Sequence, residues 1–597
     1  MLIKIKELFD RRNFSGALLL VVLCLLFSLY AQFANIGQGT PSLQKHGQIF
    51  KTLDELKAMA PEIVKQREQY YVGMDNVLDP TQSFDKSYQD LFGRQVKTKP
   101  WEAIPHEKVL ERTRGFLIGA FNSDEQNTMR ALSKINPWKG KFNPGVNAFY
   151  GGFYYYACGA ALLLGKVTGV ITLDPSIEYY LYHPEQTRSM YMIIRLLGAL
   201  SVFCAAAALF FWMWKQRGAK PAVLGLLFFV TMPSLVPYSH MAKSHNLGMF
   251  LFFMGFIILY QAYEKPGWIK TILGAIVLGL SAATIVTNLT LGITIFLLEW
   301  SRQNWQFRLV FKNAKFWAAC CIFFLVYIVF NLHILLNFES FQRSIMALNA
   351  YMSGYGESYG QLRVDQWLPF LADMFSRQLH WSLLPFLLIG LVHSLRKKEP
   401  LPYIVAALFL FLFTFNILLT RHPGVNIRTF PLIAFLCAEG VMALAQTRGK
   451  LTQTVLAIYL VCGISLSAAE SLFYNSLYRT PDNLQLAGDW VNENIPEKST
   501  IGVVSGQFTQ TGFPAFRFFN YELVHFPWIF DSIDVHGAHL PQYVLTGHPQ
   551  NHPVLESDYN LVRQWQRPNR FCGIPFNGEG VSTANMTFSI YKKKEGA

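Results

Sequence analysis

Residues 189–213 read SMYMIIRLLGALSVFCAAAALFFWM, a run that holds a single charged side chain, Arg195. About 20 apolar residues cross the hydrocarbon core of a bilayer as a helix, so this run predicts a transmembrane helix. It is followed by Lys215, Arg217 and Lys220, and basic residues beside a span favour the cytoplasmic side. The stretch therefore indicates both a helical membrane protein and the orientation of this span.

The composition supports the same class. The chain has 597 residues, of which 52% are hydrophobic and 15% charged, too apolar and too poor in charge for a soluble enzyme of this length. The net charge of +14 is compatible with nucleic acid, anionic lipid or a positive-inside bias. Basic residues occur in short clusters between apolar runs, without a nucleic-acid-binding motif, so the bias of a membrane protein explains the charge.

Similar apolar runs recur along the chain, and together with the first run near the N-terminus they predict about eleven transmembrane helices. The ten runs that follow the N-terminal one are 189–213, quoted above, and 221–237, 246–263, 269–284, 286–300, 316–337, 381–395, 402–420, 429–446 and 451–473. Alternate loops carry the basic clusters, which places these loops on one side of the membrane. Examples are Arg302 and Lys312, Arg396 and Lys397, and Arg448 and Lys450.

Two apolar stretches need a separate interpretation. The run at 15–34 follows Arg11 and Arg12 and is interpreted as an uncleaved first helix with a cytoplasmic basic end, although a signal peptide is an alternative. The stretch 149–173 would invert every later loop if it crossed the membrane. We expect an interfacial or re-entrant helix there, or a buried packing helix.

The sequence thereby predicts four regions: a first transmembrane helix at 1–34, a large outer loop at 35–188, a transmembrane bundle at 189–473 and an extracytoplasmic α/β domain at 474–597. The last region alternates one helix-like segment with strand-like segments, as in a small α/β domain. The helix-like segment begins at Asn483, and the strand-like segments are 499–505, 542–546 and 586–592.

The outer loop carries adjacent acids, Asp124 and Glu125, near the cations Arg112, Arg114 and Arg130. Carboxylates in a cationic neighbourhood stay ionised and can serve an anionic substrate. The alternative is the first turn of a solvated helix with Ser123 as its N-cap.

Positive charge also occurs in two short turns predicted on the outer side, against the positive-inside bias. Such cations are candidate phosphate ligands, although a lone lysine or arginine can instead snorkel to the headgroup boundary, and the histidines could ligate a metal. The candidates are His240, Lys243 and His245 in one turn, and Arg421, His422 and Arg428 in the other.

Two further sets of residues are secondary candidates. Arg195 is a charge inside an apolar run, which suggests a functional site or a structural pair with an acid of the outer loop. The loop with Tyr355, Tyr359 and Arg363 has groups that stack on sugars, but an aromatic membrane belt would look the same.

The order of these motifs resembles the GT-C superfamily of polyprenyl-phosphate-sugar-dependent glycosyltransferases, which includes protein O-mannosyltransferases and lipid A aminoarabinose transferases. The resemblance covers roughly 110 to 300. The segments that carry it are Asn122–Ala131, Asn143–Pro144, Tyr150–Tyr156, Met192–Ala199 and Pro233–His245. It implies Asp124 as the catalytic base of an inverting transfer, with Glu125 as a weaker candidate that orients a neighbouring loop.

This chain departs from the pattern in two ways. About 75 additional residues precede the Asp-Glu pair, and histidines replace an acid of several relatives in the second outer turn. The first departure suggests an unusual acceptor. The second weakens the hypothesis of a metal site, because an acid is missing from that turn.

The prediction is a multi-pass enzyme of a bacterial inner membrane, with a cytoplasmic N-terminus and a periplasmic C-terminal domain. It would move a sugar from a polyprenyl-phosphate donor to a glycan, lipid or protein acceptor. No cofactor is expected, although a divalent metal is compatible with the sequence, and no nucleic acid is expected as a partner. The alternatives are a lipid or solute transporter and a non-catalytic assembly protein of the envelope.

Overall fold

The structure is a computed structural model that describes most of the chain. The described residues are 11–66, 69–92, 102–145, 148, 150–354, 367–397, 399–420, 423–446, 449–479, 481–504, 513–526, 540–547, 553–576 and 587–595. They form a predominantly helical chain that ends in a β-sheet unit.

Five helical stretches in the described parts of the chain are long and apolar enough to cross a membrane: Pro184–Arg217, His245–Glu264, Pro400–Leu418, Gly424–Ala445 and Gln453–Leu477. A bent pair, Trp367–Ser376 with Trp381–Lys397, would make a sixth. Four shorter apolar helices accompany them, at Leu18–Phe33, Ala219–Val230, Trp268–Ala282 and Ala314–Phe330. The polytopic helical fold predicted from the sequence is confirmed.

Several of the predicted runs, among them 221–237 and 316–337, do not form a continuous α-helix. Residues 286–300 divide into a 3-10 segment, Val286–Gly292, and an α-helix, Ile293–Arg302. The 3-10 segment makes tighter turns with poorer hydrogen-bond geometry. Hydrophobic periodicity could not reveal this division, because both parts are apolar.

The region 35–188 is also largely helical in its described part. Its helices are Leu43–Ile49, Leu53–Lys65, Gln69–Leu78, Phe84–Phe92, His106–Ile118, Ser123–Lys134, Gly152–Val167 and Ile177–Tyr182. The helix Gly152–Val167, in the stretch that the sequence analysis excludes from spanning, has only 16 residues. At 1.5 Å per residue it is about 24 Å long, shorter than the hydrocarbon core of a bilayer.

The C-terminal region contains a helix, Asn483–Asn494, and a five-stranded sheet. The five strands are Thr500–Val504 (β1), Glu522–Phe526 (β2), Tyr543–Thr546 (β3), Tyr559–Trp565 (β4) and Phe588–Lys593 (β7). Their order in the sheet is β2-β1-β3-β7-β4. β1 pairs in parallel with β2 and β3, whereas β7 is antiparallel to both β3 and β4. A short hairpin pairs β5 (Arg570–Phe571) with β6 (Ile574–Pro575). The α/β character predicted for this region is confirmed, while β2 and β4 were not foreseen.

The sheet unit packs against the helices of the region 35–188. One apolar core contains Leu56 and Val109 from those helices together with Leu484 and Val503 from the sheet unit. Hydrogen bonds reinforce the contact, for example from Gln48 Nε2 to Asp489 Oδ1 at 2.8 Å. The two regions therefore share one core.

Two helices of the bundle approach closely at glycines. A Cβ on Gly390 would lie 1.8 Å from the carbonyl oxygen of Leu436, and one on Gly440 would lie 2.1 Å from that of Phe386. These glycines bring the helices Leu384–Lys397 and Phe430–Ala445 to backbone contact, as small residues do between membrane helices.

We expect Gly390→Ala to destabilise the protein, because the added methyl group forces these two helices apart. Overpacking of this kind costs about 1–3 kcal/mol. The check is the thermal unfolding midpoint of the detergent-purified protein. Gly159→Ala is the matched control, because no atom lies within 4 Å of its added Cβ and alanine favours a helix over glycine by about 1 kcal/mol. Equal midpoints for the two variants would contradict the close approach.

Candidate functional site

The helix Ser123–Lys134 presents Asp124 and Glu125 in its first turn. Its N-cap is Asn122, whose side-chain oxygen accepts a hydrogen bond from the backbone N–H of Asp124 at 2.9 Å. The expectation that Ser123 is the N-cap is therefore wrong by one residue. Asparagine and serine are nearly equal as N-caps, so the sequence alone could not separate them.

Glu125 forms a buried, bidentate ion pair with Arg195. Its two carboxylate oxygens lie 2.7 Å from Nε and Nη2 of Arg195, and the exposed fractions of the two side chains are 1% and 2%. Nη1 of Arg195 donates to the backbone carbonyls of Ile36 and Gln38. The alternative that pairs Arg195 with an acid of the outer loop is thus what the structure contains.

The same carboxylate fixes the turn that carries the predicted cations. The backbone N–H of Ala242 donates to Glu125 Oε1 at 2.8 Å, and the Thr128 hydroxyl lies 3.1 Å from the Ala242 carbonyl oxygen. The acidic helix and the turn at 240–244 are therefore held together on both sides of Ala242.

Asp124 faces away from this buried pair and binds Lys243 instead. The distance from Asp124 Oδ2 to Lys243 Nζ is 2.6 Å, with 38% of the acid and 12% of the lysine side chain exposed. Burial by itself would lower the pKa of Lys243, but the Asp124 carboxylate, together with Tyr150 and Tyr238, raises it above its ordinary value. Lys243 is consequently an ammonium ion at neutral pH.

Aromatic rings surround this ion pair. The ammonium of Lys243 lies 5.9 Å from the ring centroid of Tyr238. The His245 ring makes edge contacts with Tyr238, at 5.4 Å, and with Tyr150, at 6.2 Å. A Cβ on Gly424 would lie 2.6 Å from His245 Nε2, so glycine allows the second predicted turn to approach this histidine.

Arg428 lies in that second turn and is buried, with 2% of its surface exposed. Its Nη1 donates to the Thr287 carbonyl at 2.7 Å and to Asn288 Oδ1 at 3.2 Å. Its Nε and Nη2 have no hydrogen-bond partner among the described residues. A buried guanidinium with two unused donors is costly and is therefore a strong candidate for binding an anion.

His240 has a different environment from the other cations of its turn. Its ring nitrogens face the backbone carbonyls of Val236, at 2.8 Å, and Ala34, at 2.7 Å, and its ring stacks on Tyr478. Burial lowers the pKa of His240 to about 4, although both backbone contacts raise it. This geometry does not support the prediction that His240 binds phosphate, because both nitrogens already face groups of the chain.

The structure thus brings together Asp124, Lys243 and His245, and it gives Glu125 and Arg195 a supporting position. Five predicted residues lie outside the described residues: Arg421, His422, Tyr355, Tyr359 and Arg363. Tyr150 and Tyr238 were not among the predicted site residues, although both belong to segments that carry the family resemblance. Their spacing from the acids along the chain could not show that they surround the same pair.

The described residues contain no group of three or more His, Cys, Asp or Glu side chains that could hold a metal ion. The candidate site instead combines one accessible carboxylate with an ammonium ion and a guanidinium. Such a set can accept a proton and stabilise a phosphate.

Comparisons with known proteins give similarities of structure only. No protein-family model matches the sequence. No curated protein matches it either.

Among solved structures, ArnT from Cupriavidus metallidurans bound to undecaprenyl phosphate has 11% sequence identity and a TM-score of 0.41, covering 90% of this chain and 97% of ArnT. The Archaeoglobus fulgidus oligosaccharyltransferase in complex with Zn and sulfate has 12% identity and a TM-score of 0.38, covering 64% of this chain. The matched part is 54% of that oligosaccharyltransferase, so the chain spans about half its length.

The archaeal oligosaccharyltransferase AglB, in complex with an inhibitory peptide and a dolichol-phosphate, has 11% identity and a TM-score of 0.39, covering 86% of this chain and 64% of AglB.

We expect Glu125→Gln to lower the thermal unfolding midpoint strongly, because it leaves the Arg195 guanidinium buried without its counter-charge. Breaking a buried pair in this way costs about 3–5 kcal/mol. The double variant Glu125→Gln with Arg195→Met should recover part of the loss, since it removes the orphaned charge. If the double variant unfolds at a lower temperature than Glu125→Gln alone, the pair is not the origin of the effect.

Proposed function

We propose that the protein is an integral membrane glycosyltransferase that moves a sugar from a polyprenyl-phosphate donor to an acceptor. The transfer is a single displacement with inversion. A nucleophilic group of the acceptor attacks the anomeric carbon, the bond from that carbon to the phosphate oxygen breaks, and Asp124 accepts the proton of the nucleophile. The lipid phosphate leaves with the electron pair of the broken bond.

The observation that carries this proposal is the contrast between two adjacent acids. Glu125 is held in a buried pair, whereas the side chain of Asp124 is 38% exposed and pairs with Lys243 at 2.6 Å. An ionised and accessible carboxylate can act as a general base. Glu125 therefore acts as a positioning residue, because it holds the helix of Asp124 and the turn of Lys243 at a fixed distance from each other.

The cations supply the second requirement of the reaction, stabilisation of the departing phosphate. Lys243 is an ammonium ion beside the base, and Arg428 has two hydrogen-bond donors without partners in the described chain. Charged hydrogen bonds from such groups are strongest where water is excluded. His245 contacts Tyr238, whose ring lies beside Lys243, and approaches Gly424, four residues before Arg428.

Lys243 would have two partners in the course of the reaction. In the absence of the donor it pairs with Asp124, which weakens the carboxylate as a base. A donor phosphate would compete for the ammonium and would thereby release Asp124 to accept a proton. This arrangement couples activation of the base to binding of the donor.

We assign the site to the outer, periplasmic face of a bacterial inner membrane. The support is the alternation of basic loops along the sequence, which puts the acidic helix and the sheet unit on the side opposite the basic clusters. The sugar acceptor would then be reached from outside the cytoplasm.

We expect Asp124→Asn to lose transfer by about 100-fold to 10,000-fold, the contribution of a general base, while the protein stays folded. The measurement is the release of undecaprenyl phosphate from undecaprenyl-phosphate sugars, with purified protein in nanodiscs and a membrane extract as the source of acceptor.

Asp54→Asn is the matched control for this variant. Asp54 also lies in the first turn of a helix and has a lysine partner, Lys57, at 3.7 Å. If the only role of Asp124 were to favour the start of its helix, both variants would keep full activity. Such a result would refute Asp124 as the base.

Arg428→Met should weaken binding of undecaprenyl phosphate by about tenfold or more, because hydrogen bonds to charged groups contribute about 1.5–3 kcal/mol. The variant should also keep or raise the unfolding midpoint, since an underpaired buried charge is removed. Thermophoresis and thermal unfolding measure the two effects. Lys139→Met, at an exposed lysine, should change neither. A lower midpoint with unchanged lipid binding would make Arg428 a structural residue.

A further inference from the structure

A cavity of about 500 Å³ opens beside the acidic helix but apart from the Asp124–Lys243 pair. Its polar lining includes Asp75, Asp79, Lys134, Asn143, Glu339 and Ser340. Lys134 is the last residue of the helix that begins at Ser123. Lys134 lies ten positions after Asp124 on this helix, which corresponds to a rise of about 15 Å.

The wall of this cavity is formed in part by the residues inserted before the Asp-Glu pair. The helix Gln69–Leu78 carries Asp75, whose carboxylate binds Lys134 at 2.5 Å and Arg130 at 3.1 Å. Arg343 donates to the carbonyls that end this helix, including Asp79 O at 2.8 Å. The insertion is thus tied to the acidic helix on one side and to the helix Phe338–Gly354 on the other.

The opposite wall is also fixed by specific contacts. Asn143 Nδ2 donates to Ser340 Oγ at 3.3 Å, and the Asn143 side-chain oxygen accepts from the backbone N–H of Gly145. Gly145 has φ +80°, and a Cβ there would lie 3.1 Å from Lys134 Nζ. Glycine therefore gives the loop the left-handed conformation it needs and leaves room for the lysine.

The charges around the cavity bear on which acceptor it can bind. Three carboxylates, Asp75, Asp79 and Glu339, and one ammonium group, Lys134, line it. Two guanidinium groups adjoin the same wall, Arg130 at 3.1 Å from Asp75 Oδ2 and Arg343 at 2.8 Å from the carbonyl oxygen of Asp79, so the positive and negative charges balance. A cavity without net positive charge does not attract a phosphorylated acceptor. Carboxylate, amide and hydroxyl groups instead match the hydroxyl groups of a carbohydrate, which need both acceptors and donors.

We propose that this cavity binds the acceptor and that the acceptor is a neutral, hydroxyl-rich saccharide chain. The inference rests on the proposed function and deepens it. A saccharide of several units anchored here would extend over the 15 Å or so of helix that leads to Asp124, where its terminal hydroxyl group would be the nucleophile. The inserted helix Gln69–Leu78 is then a determinant of acceptor specificity.

The test uses maltotriose as a neutral probe and glucose 6-phosphate as an anionic one, with the full-length protein in nanodiscs. Saturation-transfer NMR should detect maltotriose on the wild-type protein and a weaker signal, or none, for glucose 6-phosphate. Ser340→Trp, which fills the cavity, should abolish the maltotriose signal. Glu339→Gln should weaken maltotriose binding about threefold to tenfold, because a charge-assisted hydrogen bond becomes a neutral one.

Glu493→Gln is the control, since it removes the same charge from an exposed helix position of the sheet unit. Circular dichroism and the unfolding midpoint establish that Ser340→Trp is folded, and Glu339→Gln provides the answer if it is not. No maltotriose signal on the wild-type protein, equal binding by wild-type protein and Glu339→Gln, or preference for glucose 6-phosphate would each overturn the proposal. Failure of the glycosyltransferase proposal is separately visible, as absence of undecaprenyl phosphate release by the wild-type protein.

Discussion

The buried ion pair between Glu125 and Arg195 is the interaction on which the geometry of the candidate site depends. Four segments meet at it: the acidic helix, the long helix that contains Arg195, the carbonyls that follow the first helix, and the turn at Ala242. Removing two charges from water costs several kcal/mol per ion, and only good geometry with further hydrogen bonds offsets this cost. Any arrangement that displaces one of the segments leaves a buried charge without its partners. We therefore interpret the pair as a device that specifies one arrangement of these segments rather than as a source of net stability.

The position of Asp124 follows from this constraint. Adjacent residues of an α-helix point about 100° apart, because one turn contains 3.6 residues. Once Glu125 is directed into the protein, Asp124 must face sideways, toward the turn that Glu125 itself holds through Ala242. Lys243, the next residue of that turn, then meets Asp124 at 2.6 Å. Glu125, which does not take part in the reaction, thus sets the distance between Asp124 and Lys243. Because Glu125 is adjacent to Asp124 in the sequence, and Ala242 is adjacent to Lys243, that distance depends little on the rest of the bundle.

The sequence was sufficient for the helical membrane fold and the C-terminal sheet, and it left the pairing of Arg195 with an acid of the outer loop as one of two alternatives. These depend on hydropathy, on alternation and on the cost of an isolated charge in an apolar run. The sequence was insufficient to predict the surroundings of individual side chains, because these depend on local backbone geometry. His240 looked like Lys243 as a cation of the same turn, but its ring faces two carbonyls, one of them from Ala34, which is distant in sequence. Arg428 could be named as a candidate, yet its two unpaired donors depend on what packs around the turn.

The helix Gln69–Leu78 illustrates how binding and order can be coupled in such a site. Among the described side chains, Met74 and Val77 form a small apolar cluster with Ala347, against which Phe84 and Tyr88 pack. Ordering each residue costs about 1–2 kcal/mol of backbone entropy, which so small a core offsets only in part. The remaining contacts are the ion pairs of Asp75 and the carbonyls bound by Arg343, and partly exposed contacts of this kind contribute little each. A helix held in this way belongs to the part of a protein that opens most readily. A ligand that bridges Asp75 and Glu339 would bind the ordered state alone and would stabilise it by mass action, so the same polar groups would close the cavity wall and recognise what occupies it.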